Sequence, residues 1–288
     1  MKFNYECLNC NINQVLKTTS LLEINENVKE VIVRKVLLYL GQVDYNKSNP
    51  EILKGTYKII TTELQVSDPY YSLKILYNRA ALDLASRVKE IIEESNNSLN
   101  TALKMAIVGN LIDFASGHFV DENILQEAIE LVDKKSLKID HSQELFLDLN
   151  KKKTLLYLGD NCGEIVFDKI FISYLKKVNP QLEVTYAVRG QAIINDVTLN
   201  DSRMVKMEEV AKVISNGDGA SGTVLKDTSL EFQSHFAKAD VIIAKGQGNF
   251  ESLSESLNDN IYFLLMAKCD LVAKVLNIEK GSIVCIKS

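Results

Sequence analysis

The feature that most constrains the fold is a change of hydrophobic texture after Lys153. From there on, short apolar runs stand at 154–158, 183–188, 240–244, 261–266 and 282–286, most of them separated by segments of helical spacing. Runs of that length are strands buried on both faces, and their alternation with helices is the pattern of a mainly parallel sheet sandwiched by helices. Residues 11 to about 150 read differently, as helix after helix. The stretch 27–40 sets Val28, Val31, Ile32, Val36 and Leu40 along one apolar face. Asn49-Pro50 interrupts the pattern, and Asp68-Pro69 opens a helix through 70–92. Further helices are expected at 99–109 and 124–132. The expectation is an α/β fold: an all-helical N-terminal subdomain over residues 1–150 and an α/β subdomain over 151–288, joined as one integrated unit.

Polar residues gather where the apolar runs stop. Asp160, Asn161 and Glu164 follow the first run, and Arg189-Gly190-Gln191 and then Asn195-Asp196 follow the second. Lys245-Gly246-Gln247-Gly248-Asn249-Phe250-Glu251 follows the third. In a parallel sheet all three sets lie at the carboxyl edge, where open α/β folds bind ligands. Asp160, Asn161 and Asp196 supply one neutral and two anionic oxygen donors, a partial shell for a hard cation such as Mg²⁺ or Mn²⁺. Against this stands the ordinary use of Asp and Asn as helix caps and turn formers. Arg189 as a fork and Lys245 as a point charge suit a phosphoryl group, where the plain alternative is surface charge. Gly246 and Gly248 would let backbone approach closely. The donor-rich segment 215–223 either wraps a substrate or forms a surface turn. Asn110 and Asp113, three apart at a helix end, either reach the cleft or cap the helix.

Composition narrows the partners. The net charge is −5, with Lys and Arg dispersed, so a nucleic-acid partner is not expected. No apolar run approaches the length of a membrane span, and the opening MKFNYECLNC lacks an apolar signal core. Five cysteines, an odd number, read as reduced thiols, which sets the expected location as cytoplasmic. Cys7 and Cys10 form a C-x-x-C without a second pair at zinc-site spacing, and His118, His141 and His235 show no metal-ligand spacing. There is no Walker sequence and no G-x-S-x-G elbow.

In combination these motifs resemble the metal-dependent damage-control phosphatases, formerly a domain-of-unknown-function family, and in particular the microbial branch with an N-terminal C-x-x-C. The resemblance covers nearly the whole chain. It takes in Cys7-Leu8-Asn9-Cys10, Asp68-Pro69-Tyr70 and Gly109-Asn110-Leu111-Ile112-Asp113-Phe114 in the helical half. In the α/β half it takes in Gly159-Asp160-Asn161-Cys162-Gly163-Glu164, Val188-Arg189-Gly190, Asn195-Asp196-Val197-Thr198 and Lys245 through Glu251. It implies a divalent cation (Mn²⁺, Mg²⁺, Co²⁺ or Ni²⁺) on Asp160, Asn161 and Asp196, and a phosphate contact from Lys245. It also implies hydrolysis of phosphomonoesters, including sugar phosphates and damaged phosphometabolites. Asp160, Asn161, Asp196 and Lys245 are therefore the expected catalytic set. Arg189, Asn110, Asp113, Glu164, Asn249 and Glu251 are the expected substrate-binding set, and the partner is a small phosphorylated metabolite. Two other classes remain open: a non-catalytic phospho-ligand-binding module, and a thiol redox or metal protein built on Cys7 and Cys10.

Overall fold

The computed structural model describes residues 1–109, 132, 136–256 and 258–288. The segment holding Asn110, Asp113 and His118, and the helix expected over 124–132, fall outside the described residues except for Val132. Six strands form one sheet: β1 (Thr154–Leu158), β2 (Glu183–Val188), β3 (Lys212–Ser215), β4 (Val241–Lys245), β5 (Ile261–Met266) and β6 (Ile283–Lys287), in the order β3-β2-β1-β4-β5-β6. The first five are parallel and β6 closes the edge antiparallel to β5. Five of these strands coincide with the apolar runs to within a residue. β3 was not expected: its four residues, KVIS, are too few and too polar at their ends to stand out.

The central strands are covered on both faces, and their side chains sort by parity. Leu155, Tyr157, Tyr186, Val188, Val241 and Ile243 face one layer, while Leu156, Leu158, Ala187, Ile242 and Ala244 face the other. The first layer contains α7 (Glu164–Val178) together with α4 (Tyr71–Glu94) and α5 (Ser98–Val108) from the helical half. The second contains α9 (Leu230–Lys238), α10 (Gly246–Leu253) and α11 (Asp270–Leu276). α6 (Ser142–Lys151) leads into β1, and α8 (Leu199–Met204) follows the post-β2 loop.

Helices α1 (Cys7–Leu21), α2 (Glu26–Gln42) and α3 (Asn49–Leu64) pack around a core of their own, which also takes in Tyr70 and Ile193. The interruption expected at Asn49-Pro50 lies between Gln42 and Asn49. Asn49-Pro50 itself opens α3, behind a capping box formed by Ser48 and Glu51. The apolar face expected for α2 is narrower than its sequence suggested. Ile32, Val36 and Leu40 are buried at i, i+4 and i+8, whereas Val28 and Val31 stay 40% and 44% exposed. Val31 sits about 100° around the helix from Ile32. No described helix is long and apolar enough to cross a membrane.

The two kinds of α2 position separate in a stability measurement. Ile32→Ala should cost about 2–5 kcal/mol in urea unfolding, and Val31→Ala no more than about 0.5 kcal/mol. Equal losses would contradict the packing of the bundle.

Candidate active site

At the carboxyl edge of β1 and β2 the chain folds the two following loops against each other. Asn161 and Asp196 form an isolated antiparallel bridge. Val197 N donates to Asp160 O at 2.9 Å and Cys162 N to Asn195 O at 2.9 Å. The loop of Asp160 and Asn161 thus lies against the loop of Asp196, residues distant in sequence. All three residues are buried. The N-cap position of α7 is taken by Gly163 (φ 81°) rather than by Asp160 or Asn161. The Asn161 amide donates to Asp160 Oδ2 at 2.7 Å and reaches Glu164 Oε2 at 3.4 Å. Backbone closes on the same point from β4. Gly246 has φ 78°, and a Cβ built there would stand 2.0 Å from Asp160 Oδ2, so this position admits glycine only.

Arg189 lies between the two carboxylates. Its Nε donates to Asp196 Oδ2 at 2.7 Å, and its Nη1 reaches Asn249 Oδ1 at 3.3 Å and Thr223 Oγ1 at 3.5 Å. Thr223 Oγ1 itself donates to Asn249 Oδ1 at 2.8 Å, and Asn249 Nδ2 to Lys245 O at 2.7 Å. The guanidinium is therefore clamped by residues that follow three different strands: Asp196 after β2, Thr223 after β3 and Asn249 on α10 after β4. Its remaining nitrogen, Nη2, is buried without a hydrogen-bond partner among the described residues and stands 3.6 Å from Asp160 Oδ1.

Lys245 is placed differently from the expected phosphate contact. Parity continues from Val241 and Ile243, so its side chain enters the α4–α5–α7 layer. There the fully buried ammonium donates to Ala106 O at 2.7 Å, to Asp168 Oδ1 at 2.6 Å and to Glu164 Oε1. Three acceptors match the three donors of an ammonium. Asp168 also accepts from Tyr157 Oη at 2.6 Å and Tyr186 Oη at 2.8 Å. Lys245 is thus the counter-ion beneath the site rather than a group offered to a ligand. Glu164, expected to bind substrate, is its partner. Glu251 is engaged by Gln247 Nε2 at 2.7 Å and Asn49 Nδ2 at 3.3 Å, which ties α10 to α3.

Burial sets the electrostatics. It pushes the Asp160 carboxyl up, against Lys268, Arg189 and Lys245. It pushes Asp196 up to about 7 against Arg189, with the Asp160 charge adding to the rise, and Glu164 up to about 7 against Lys245. Burial works against the Lys245 charge, but Asp168 and Glu164 outweigh it, and its pKa is raised. Four buried carboxylates (Asp160, Glu164, Asp168 and Asp196) stand here with two buried cations, Arg189 and Lys245. Lys268, an exposed side chain, adds a third positive charge that acts on Asp160.

Two carboxylates and one amide suit a hard oxygen-seeking ion. Among the described residues no group of three or more His, Cys, Asp or Glu is gathered as metal ligands. At the C-x-x-C, burial raises the Cys7 thiol to about 11 and also raises Cys10.

Comparison with known proteins places the chain in a family. Residues 3–284 match the damage-control phosphatase ARMT1-like domain. The chain belongs to this family. It is 36% identical to the damage-control phosphatase PH1575 of Pyrococcus horikoshii, covering 100% of this chain and 99% of that one. It is 31% identical to a damage-control phosphatase of Archaeoglobus fulgidus, with 99% and 98% covered. The crystal structure of the Pyrococcus horikoshii protein, described as a DUF89 family protein, superposes with a TM-score of 0.92 at 35% identity, covering 100% of this chain and 99% of that one.

Sequence reasoning missed several residues that build the site. Asp168 was legible as the i+4 partner of Glu164 on α7, and Thr223 lay within the donor-rich segment left open as wrap or turn. That segment is folded inward: Asn216 Oδ1 accepts from Gly190 N and Asp218 N, each at 2.9 Å, and Lys54 of α3 pairs with Asp218.

The buried role of Lys245 has a direct consequence. Lys245→Met should destabilise the protein by about 3–5 kcal/mol in chemical denaturation, because it strands Asp168 and Glu164 without their counter-ion. A Lys245→Met variant as stable as the wild type would contradict the assignment.

Proposed function

We propose that this protein is a metal-dependent phosphatase that hydrolyses phosphomonoesters of small metabolites, such as sugar phosphates or damaged phosphometabolites, in the cytoplasm. The observation that carries the reading is the excess of buried carboxylate at the strand ends beside an arginine with an unsatisfied nitrogen. Four carboxylates buried together repel one another, and a further cation among them lowers that cost. The family membership supports the same reaction class.

Asp160, Asn161 and Asp196 would hold the cation, with Mn²⁺, Mg²⁺, Co²⁺ and Ni²⁺ as candidates. When bound, such an ion neutralises charge on a phosphoryl oxygen and makes coordinated water more acidic. Arg189 Nη2 would donate to a second phosphate oxygen, its orientation already fixed through Nε and Nη1, so little ordering is required on binding. Thr223 and Asn249 keep the guanidinium plane in place. The Asn161 amide nitrogen is directed to Asp160 and Glu164, which turns the amide's electron-rich end to the cation. Lys245 and Asp168 act from below by limiting the repulsion among the carboxylates. The ligand class is a small phosphorylated metabolite, with neither nucleic acid nor a membrane as partner.

A phosphate-release screen over a panel of phosphometabolites, run with each divalent cation and with chelator, tests the reading. Release should require the cation, and Asp160→Ala or Asp196→Ala should lower it by at least about 100-fold. Arg189→Met should lower kcat by about 10²–10³. Chelator-insensitive release, or full turnover by Asp196→Ala, would refute the mechanism. Tight phospholigand binding without release under any cation would instead indicate a binding module.

A further inference from the structure

The loops that carry Asp160, Asn161 and Asp196 are joined from beneath by one side chain of the helical half. Asn78, on α4, is fully buried. Its Oδ1 accepts from Gly163 N at 2.8 Å, and its Nδ2 donates to Asp201 Oδ1 at 3.1 Å. Gly163 closes the Asp160–Asn161 loop at the start of α7. As the N-cap residue it has an N–H with no intrahelical acceptor. Asp201 closes the other loop. Its Oδ2 accepts from Thr198 N at 2.8 Å and Thr198 Oγ1 at 2.6 Å, forming the capping box of α8 just after Asp196.

The arrangement is reinforced one helical turn earlier. Lys74, also on α4 and buried, pairs with Asp201 Oδ2 at 3.0 Å and with Asp68 Oδ2 at 3.1 Å. Asp201 is thus held by Lys74 and Asn78 together, at the spacing that brings i and i+4 to one face of a helix. Between the two loops lies the buried Cys162, whose Sγ is 3.8 Å from Asp196 O. The polar contacts of Asn78 therefore run to one of the two cation-bearing loops or to α8 behind them.

We infer that Asn78 is a positioning residue for the cation: by bonding Gly163 and Asp201 at once, it fixes the separation between the Asp160–Asn161 loop and the Asp196 loop. The inference rests on the metal-binding reading given above. An amide suits the task because one side must accept and the other donate, which a carboxylate or a hydroxyl cannot do with the same reach. Residues that orient metal ligands without touching the ion change metal affinity by about 10–100-fold when removed.

The test is direct Mn²⁺ binding, read from the electron paramagnetic resonance signal of the free ion, with no substrate present. Asn78→Ala should weaken Mn²⁺ binding at least about 10-fold. Asn78→Asp keeps the acceptor for Gly163 but sets a carboxylate against Asp201; it should weaken binding too, and it serves if the alanine variant does not fold. The control is Asn11→Ala in the α1–α3 bundle. Asn11 is equally buried and bonds Cys7 O, Asn49 and Thr56, so its loss should lower the melting temperature with Mn²⁺ affinity within about twofold of wild type. Wild-type affinity in a folded Asn78 variant, or an equal loss in Asn11→Ala, overturns the positioning role while leaving the metal site standing. A wild-type protein that binds no Mn²⁺, or an Asp196→Asn variant that binds it undiminished, overturns the metal reading and this inference with it.

Discussion

The site depends on a short backbone pairing, the antiparallel contact of residues 160–162 with 195–197 across the tops of β1 and β2. A parallel sheet separates its strand ends by a fixed spacing, and loops leaving it are otherwise independent. Here the loops hydrogen-bond each other before their helices begin, so three oxygen-bearing side chains meet without any of them being on a helix or a strand of the sheet. The mutual repulsion of Asp160 and Asp196 is the cost of that meeting. Arg189 offsets part of it by lying between the two carboxylates.

A second layer of charge makes the first tolerable. Lys245 is placed by strand parity beneath the carboxylates, where Asp168 and two tyrosine hydroxyls complete its surroundings. A lysine in that position adds positive potential without competing for ligand. The helical half contributes at the same depth. α5 offers the Ala106 carbonyl to Lys245, and α4 offers Asn78 and Lys74 to the loops. Helices α4 and α5 thus take part in the construction of the site.

Much of this was legible in the chain. Strands buried on both faces leave uninterrupted apolar runs, which is why five strands and the polar cluster at their carboxyl ends could be read directly. β3 could not, since four residues with a lysine and a serine at their ends carry too little signal. The burial of Lys245 was in principle readable, because alternation from Val241 through Ile243 points it away from the α10 layer, yet glycines next to a lysine suggested a ligand contact instead. The narrowing of the α2 face reflects which neighbours exist in space, and periodicity cannot report that. Asn78 and Asp201 are 123 residues apart and meet by tertiary packing, so no local pattern announces them. Asn110 and Asp113 lie outside the described residues.

On the proposed reading, the carboxylates buried at the ends of β1 and β2 seat one divalent cation. Anomalous diffraction at the manganese edge, from crystals grown with Mn²⁺, tests it most directly. The account predicts one strong peak bounded by the side-chain oxygens of Asp160, Asn161 and Asp196, next to the Arg189 guanidinium. A peak located instead at Cys7 and Cys10, or none at the strand ends at saturating Mn²⁺, would contradict it.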